Sequence, residues 1–173
     1  HEPVVARFAF QVSVGHRAAN RDRRALDARH NVVLSLEQRD VAPEGATVAE
    51  SLVSEQNDIT VVDVDSARLR ALQDRLDLRT VTGSASHPAV LEEAGIDDAD
   101  LLIAVTQSDE TNLVACKLAA RMFNVPRRVA RIRANAFLDN KLVLGPDGFD
   151  VDLSICPEQV LTDYIVKLVE FPE

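Results

Sequence analysis

No stretch of the chain approaches the roughly eighteen consecutive apolar residues that a membrane-spanning helix requires. Any membrane role is therefore expected to run through a partner, with the chain itself soluble. There are only two cysteines among 173 residues. Cys116 and Cys156 lie far apart with no second thiol beside either, which excludes a zinc or redox spacing and suits a reducing cytoplasm. Histidine is as scarce: past residue 30 it occurs once, as His87, and there is neither a Gly-x-Ser-x-Gly elbow nor a metal-ligand spacing. No catalytic set and no metal site is legible, and His87, just before Pro88, reads as a surface residue in a helix's first turn. Positive charge is short too. Nineteen basic residues stand against 28 acidic ones, a formal net charge of -9, which argues against a nucleic-acid partner because phosphate backbones demand clustered Lys and Arg. Internal repeats and low-complexity tracts are absent.

What is present has the balance of an ordinary globular domain, 46% hydrophobic and 27% charged. The charge is unevenly spread. Residues 1–30 hold six Arg and three acids, net +3, which leaves -12 for the remainder. This first segment, with its Arg21-Asp22-Arg23-Arg24 stretch, reads as a solvated basic tail, with an anion-binding arm as the alternative.

From Gly45 onward, short β-branched runs alternate with helical patterns, the rhythm of βαβ units and a parallel sheet. Candidate strands are Ile59-Thr60-Val61-Val62, Leu78-Arg79-Thr80-Val81, Leu101-Leu102-Ile103-Ala104-Val105 and Val129-Ala130-Arg131-Ile132, with a weaker one near Val151-Asp152-Leu153. The near-continuous apolar run at 101–105 suits a central strand covered on both faces. Ser66 and Ser86 stand where helix caps belong, with Pro88 following the second and Gly95 closing its helix. A helix over 109–124 is stopped by Asn124 and Pro126. Residues 157–170 place Val160, Leu161, Tyr164, Ile165, Leu168 and Val169 on one stripe, which packs either on the chain's own sheet or on a second protomer or further domain. The fold class expected is α/β: a Rossmann-like, doubly wound, mostly parallel sheet with helices on both faces. Its divisions are a basic tail at 1–30, a nucleotide-binding domain at 31–156 and a linking or dimerisation helix at 157–173.

Asp63 closes the Val61-Val62-Asp63 strand eighteen positions after Gly45, where a dinucleotide fold places the carboxylate that accepts hydrogen bonds from two ribose hydroxyls. That charge repels a 2′-phosphate and favours NAD over NADP; the alternative is a solvated acid at a strand end. Gly83-Ser84-Ala85-Ser86 follows the next strand with small residues that let a ligand approach the backbone, although any strand-to-helix turn uses the same types. Thr106-Gln107-Ser108-Asp109 ends the most apolar strand at the edge where open α/β sheets bind ligands; capping alone would explain Ser108 and Asp109. Arg131 and Arg133 alternate onto one face of an otherwise apolar strand, and buried arginines need an anion, either a ligand phosphate or an acidic side chain.

Several segments in the right order, Asn57-Asp58-Ile59-Thr60-Val61-Val62-Asp63, Ala104-Val105-Thr106 with Asp109-Glu110-Thr111-Asn112, Arg131-Ile132-Arg133, and Ser154-Ile155-Cys156-Pro157-Glu158-Gln159, make the chain from about Gly45 to Pro172 similar to the TrkA family, in its N-terminal domain that regulates potassium conductance. That resemblance implies a cytoplasmic regulatory subunit, peripheral on the inner face of the cell inner membrane. It would bind NAD(H) and sometimes ATP or ADP, assemble as a homo-oligomer, dimer or ring, and gate a membrane potassium channel subunit. It further implies Gly45, Asp63, Ser84, Ala85, Thr106, Gln107 and Arg131 as the cofactor-binding positions. Nucleotide binding would favour one assembly geometry that the membrane subunit reads, a population shift rather than catalysis.

One segment departs from the family. Its Gly-x-Gly-x-x-Gly turn should end just before Ala46, yet this chain reads Asp40-Val41-Ala42-Pro43-Glu44-Gly45 and keeps only the last glycine. Asp40 and Ala42 stand where the tight turn and the approach to pyrophosphate need glycine, and Asp40 and Glu44 add negative charge there. The residues before them show no convincing first strand, so the chain ahead of about Gly45 is expected to lie outside the family pattern, as a frameshifted or displaced reading would produce. Two other functions stay open: on the fold alone, the cofactor half of an NAD-dependent oxidoreductase, and, given this turn, a scaffold module that has lost nucleotide binding.

Overall fold

The computed structural model describes residues 31–36 and 57–156. The tail at 1–30, the glycine-poor turn with Gly45, and the stripe from Val160 to Val169 lie outside the described residues. Within them the strands are β1 (Asn31–Ser35), β2 (Asp58–Asp63), β3 (Arg79–Thr82), β4 (Leu101–Ala104), β5 (Arg127–Arg131) and β6 (Leu153–Ile155). The helices are α1 (Ser66–Gln73), α2 (Pro88–Glu93), α3 (Asp109–Arg121), α4 (Asn135–Leu138) and α5 (Lys141–Leu144), with a 3₁₀ turn at Ile96–Asp98. The sheet order is β3-β2-β1-β4-β5-β6, with every pairing parallel. This is the doubly wound order, in which the chain crosses from β3 back over β2 and β1 to lay down β4.

The alternation of side chains along each strand divides the core in two. Val32 and Leu34 of β1, Ile59 and Val61 of β2, Ile103 of β4 and Val129 of β5 pack with Leu69 and Leu72 of α1 on one face. Val33, Val62, Leu102, Ala104 and Ala130 point the other way, against Leu91 of α2 and Leu113, Ala115, Cys116 and Ala119 of α3. The small residues of α3 allow it to lie close on the sheet. Burial pushes the Cys116 thiol up to about 12, so it packs as a small apolar group.

The first strand corrects the expectation that none precedes Gly45. Asn31-Val32-Val33-Leu34-Ser35 lies between β2 and β4, and Val32 to Ser35 are buried. A strand covered on both faces carries a short apolar run rather than an alternating one, and three apolar residues behind a basic, irregular segment are too few to announce it. Cap positions differ as well. Asp65, not Ser66, caps α1: its Oδ1 accepts from the N–H groups of Ala67 and Arg68 at 2.9 and 3.3 Å, and these two bonds hold its carboxyl below the usual range. The residue before Pro88 is His87, which caps α2 without a side-chain bond, while the Ser86 hydroxyl lies 3.0 Å from that of Ser84. The α3 helix ends at Arg121, and Asn124, with φ 54, takes the left-handed turn that leads to β5. The weak strand expected near Val151 begins two residues later, at Leu153.

Candidate functional site

The strand ends are in register along one edge of the sheet. Ser35 pairs with Val62 on one side and Ala104 on the other, Ala104 pairs with Ala130, and Asp63 with Thr82. The residues that follow these positions therefore emerge at one carboxyl edge, across the β1/β4 point where the winding reverses. Of the predicted positions, Asp63, Ser84, Ala85, Thr106, Gln107 and Arg131 are all brought to this edge; Gly45 lies outside the described residues.

Asp63 is 1% exposed. Its Oδ1 accepts from the Asp65 N–H at 2.8 Å and its Oδ2 from Arg68 Nη1 at 3.1 Å. Arg68 also reaches Asp65 Oδ2 at 3.3 Å. A solvated acid at a strand end does not describe this carboxylate, which is buried and held in place by a turn and a helix. Arg68 was not singled out from sequence. The available signal was an Arg five positions after the ribose-type Asp, on the first turn of the next helix.

After β3, Gly83 approaches α2 so closely that an added Cβ would lie 2.7 Å from Val90 Cγ2. Ser84 and Ser86 share a hydroxyl contact of 3.0 Å, and Ser86 Oγ lies 3.4 Å from His87 Nδ1. Ala85 between them is buried. His87 itself is exposed, in keeping with the surface position expected of it.

At the end of β4, Thr106 is buried, and its hydroxyl both donates to the Ser108 carbonyl and accepts from the Ser108 N–H. It shapes the turn rather than presenting a hydroxyl outward. Ser108 caps α3 by accepting from the Thr111 N–H and donates to Glu110 Oε2, and the Glu110 carboxyl is held low by its own backbone N–H and by Ser108. Asp109 is no cap. Its Oδ2 accepts from the backbone N–H groups of Arg133 and Ala134 at 2.9 and 2.8 Å, tying α3 to the segment after β5.

Arg131 and Arg133 do not share a strand face, because β5 ends at Arg131. Arg131 is half-buried and Arg133 exposed. The Arg133 guanidinium donates to the Gln107 carbonyl and lies 3.8 Å from Asp109 Oδ1, so an acidic side chain supplies its anion. Gln107, Asp109, Glu110, Arg133 and Ala134 line a shallow, open depression at this edge. Among the described residues no group of His, Cys, Asp and Glu is placed to hold a metal ion, and no helix is long and apolar enough to cross a membrane.

Comparison with known proteins follows the same outline. Residues 43–148 match the family model of the TrkA-N domain. Two relatives, each named Trk system potassium uptake protein TrkA, are similar over most of the chain. That of Vibrio alginolyticus is 54% identical over 129 residues and that of Halomonas elongata 52% identical over 128, each alignment covering 74% of this chain and 28% of the relative. The chain thus spans a little over a quarter of their length. Among solved structures, the TrkA-N domain of the inner membrane protein ybaL from Escherichia coli superposes with a TM-score of 0.67 at 15% identity, covering 83% of this chain and 98% of that one. The GsuK channel bound to NAD superposes with a TM-score of 0.64 at 19% identity, covering 80% of this chain and 23% of that one. The Shewanella denitrificans Kef C-terminal domain in its AMP-bound form gives 0.62 at 19% identity, covering 83% of both chains. At such identities these structures establish the fold alone; the sequence match over 43–148 establishes more, and this chain belongs to the TrkA-N domain family.

Proposed function

We propose that this chain is the nucleotide-binding regulatory domain of a Trk-type potassium-uptake system, taking NAD(H) or an adenine nucleotide at the carboxyl edge of its sheet. The observation that carries the reading is Asp63, buried at the end of β2 beside the β1/β4 switch, with its carboxylate pre-oriented by the Asp65 N–H and Arg68. A carboxylate so placed accepts from ribose hydroxyls once Arg68 yields one of its oxygens. Ser84 and Ala85 form the neighbouring wall, the Thr106-Gln107 turn closes the far side, and Arg131 supplies positive charge toward phosphate. Gly45, the one glycine kept from the family's turn, is the proposed position for the pyrophosphate side. The relatives named as potassium-uptake proteins and the neighbours titled as bound to NAD or AMP support this reading.

Residues 31–156 are the binding unit in this proposal, and 157–173 the connection toward a further domain. Its partner is a membrane potassium-channel subunit on the cytoplasmic side of the inner membrane, engaged by a homo-oligomer whose geometry the nucleotide biases. The role is regulatory binding, not catalysis. Calorimetric titration with NADH, ATP and ADP tests it: saturable binding of at least one is expected, and Asp63→Asn should weaken it by about 1.5–3 kcal/mol, the range for hydrogen bonds to a charged group. Absence of binding by all three would defeat the proposal, and equal affinity in the variant would remove Asp63 from the site.

A further inference from the structure

The β4–β5 ladder ends at the pair Ala104↔Ala130. Beyond it, where Thr106, Gln107 and Arg131 of the proposed ligand positions lie, β4 and β5 share no further strand pairing. One side chain of α3 bonds to both segments there. Asn112 is 0% exposed. Its Oδ1 accepts from the Thr106 N–H at 2.9 Å, and its Nδ2 donates to the Thr106 carbonyl at 3.2 Å and to the Arg131 carbonyl at 2.8 Å. A carboxamide offers one acceptor oxygen and two N–H donors, and each is used on main chain.

We infer that Asn112 is a positioning residue for the nucleotide site, a side-chain rung that replaces the next backbone rung between β4 and β5 and fixes the Thr106-Gln107 turn relative to Arg131. The inference rests on the proposed nucleotide site. Asn is a poor helix former, and a buried amide costs free energy unless it is fully bonded; an apolar residue would satisfy α3 and its packing against the sheet. What an apolar residue cannot do is grip both the N–H and the carbonyl of Thr106 while holding the carbonyl of Arg131. Asp109, one turn earlier on the same helix, holds the N–H groups of Arg133 and Ala134, so the first turns of α3 position the main chain on both sides of the crevice. No Asn112 atom touches the ligand in this account; it acts through the two segments it joins.

The test is calorimetric titration of the whole chain with NADH, with ATP as the second probe, for wild type, Asn112→Ala, Arg131→Ala, the double variant, and Ile96→Ala. Ile96 is a fully buried core residue in the 3₁₀ turn before β4, at the opposite edge of the sheet, and its truncation reports the effect of lost stability alone. All are measured at a temperature where circular dichroism shows them folded. Asn112→Ala is expected to weaken NADH binding at least tenfold, Ile96→Ala to leave it within twofold, and Arg131→Ala to add little once Asn112 is gone. Unchanged affinity in folded Asn112→Ala, or an equal loss in Ile96→Ala, overturns the positioning role while leaving the site intact. A wild-type chain that binds neither probe overturns the site and this inference with it. Should Asn112→Ala fail to fold, hydrogen exchange on wild type decides: the Thr106 amide, which donates to Asn112, is expected to gain protection when NADH is added, and unchanged exchange there overturns the inference.

Discussion

Asp150 sits in the left-handed region, at φ 57, in the turn that returns the chain toward β6. Its Oδ2 accepts from Lys117 Nζ at 2.8 Å and from Arg121 Nε at 2.9 Å, and Arg121 Nη2 reaches Oδ1 at 3.2 Å. Both cations lie on α3, and both also bond carbonyls of the same turn, Gly148 and Pro146. The Lys117 hydrogen bond, followed by those of Arg121, holds the Asp150 carboxyl below its ordinary 3.8. A group whose pKa falls on folding contributes stability that is fully present above its ordinary value and is lost as pH falls toward the lowered one. Asp150→Asn is therefore expected to cost about 1 kcal/mol near neutral pH. That deficit should shrink as urea midpoints are followed from about pH 5 to about pH 2. A deficit that stays constant over this range would mean that the charge at Asp150 contributes nothing.

Among the elements, β1 has the largest consequence for its size. Five residues complete the sheet between β2 and β4 and set the switch point at which the proposed site lies. The family match begins only at residue 43, so this strand comes from a part of the chain that the match does not reach. Leu34 is fully buried among Val61, Leu69 and Ile103. Leu34→Ala is expected to cost about 2–5 kcal/mol in chemical denaturation, the range for a buried Leu whose neighbours cannot close the cavity. A loss under about 1 kcal/mol, in the range of ordinary surface substitutions, would show that β1 is not the packed centre of the sheet. The elements most legible in the sequence were β2, β4 and α3, where β-branched or apolar runs end in recognisable turn residues. β1 is not legible because its apolar run, Val32-Val33-Leu34, is shorter than that of β4 and follows a basic, irregular segment with no turn signal, and the caps of α1 and α2 fall one residue from the expected serines because neighbouring polar residues compete for the same role.

For the whole molecule, binding and stability are linked. A nucleotide that binds the folded chain alone adds about 2.7 kcal/mol at a hundredfold excess over its dissociation constant, which raises Tm by about 5–10 °C for a domain of this size. NADH or the preferred adenine nucleotide should produce that shift in a calorimetric scan, and Asp63→Asn should reduce it at the same concentration. If no upward shift accompanies a binding isotherm at that excess, the nucleotide has no preference for the folded state, and a geometry selected by the ligand loses its basis.

The sequence by itself determined the class of fold, the alternation of strands and helices over the described residues from Asp58 to Ile155, and the family, because periodicity and local motifs are short-range properties that survive without coordinates. It also indicated Asp63, since a carboxylate at the end of a second strand is a local signal. Tertiary structure alone decided what those residues touch. It placed Arg68 on Asp63, turned the Thr106 hydroxyl inward onto Ser108, moved Asp109 from a helix cap to the backbone beyond β5, and drew Thr106 and Arg131 together through Asn112. The partners in the last two cases lie 24 and 19 positions apart. Hydrogen bonds across such separations depend on how strands stack side by side, and that order is not written in any window of neighbouring residues.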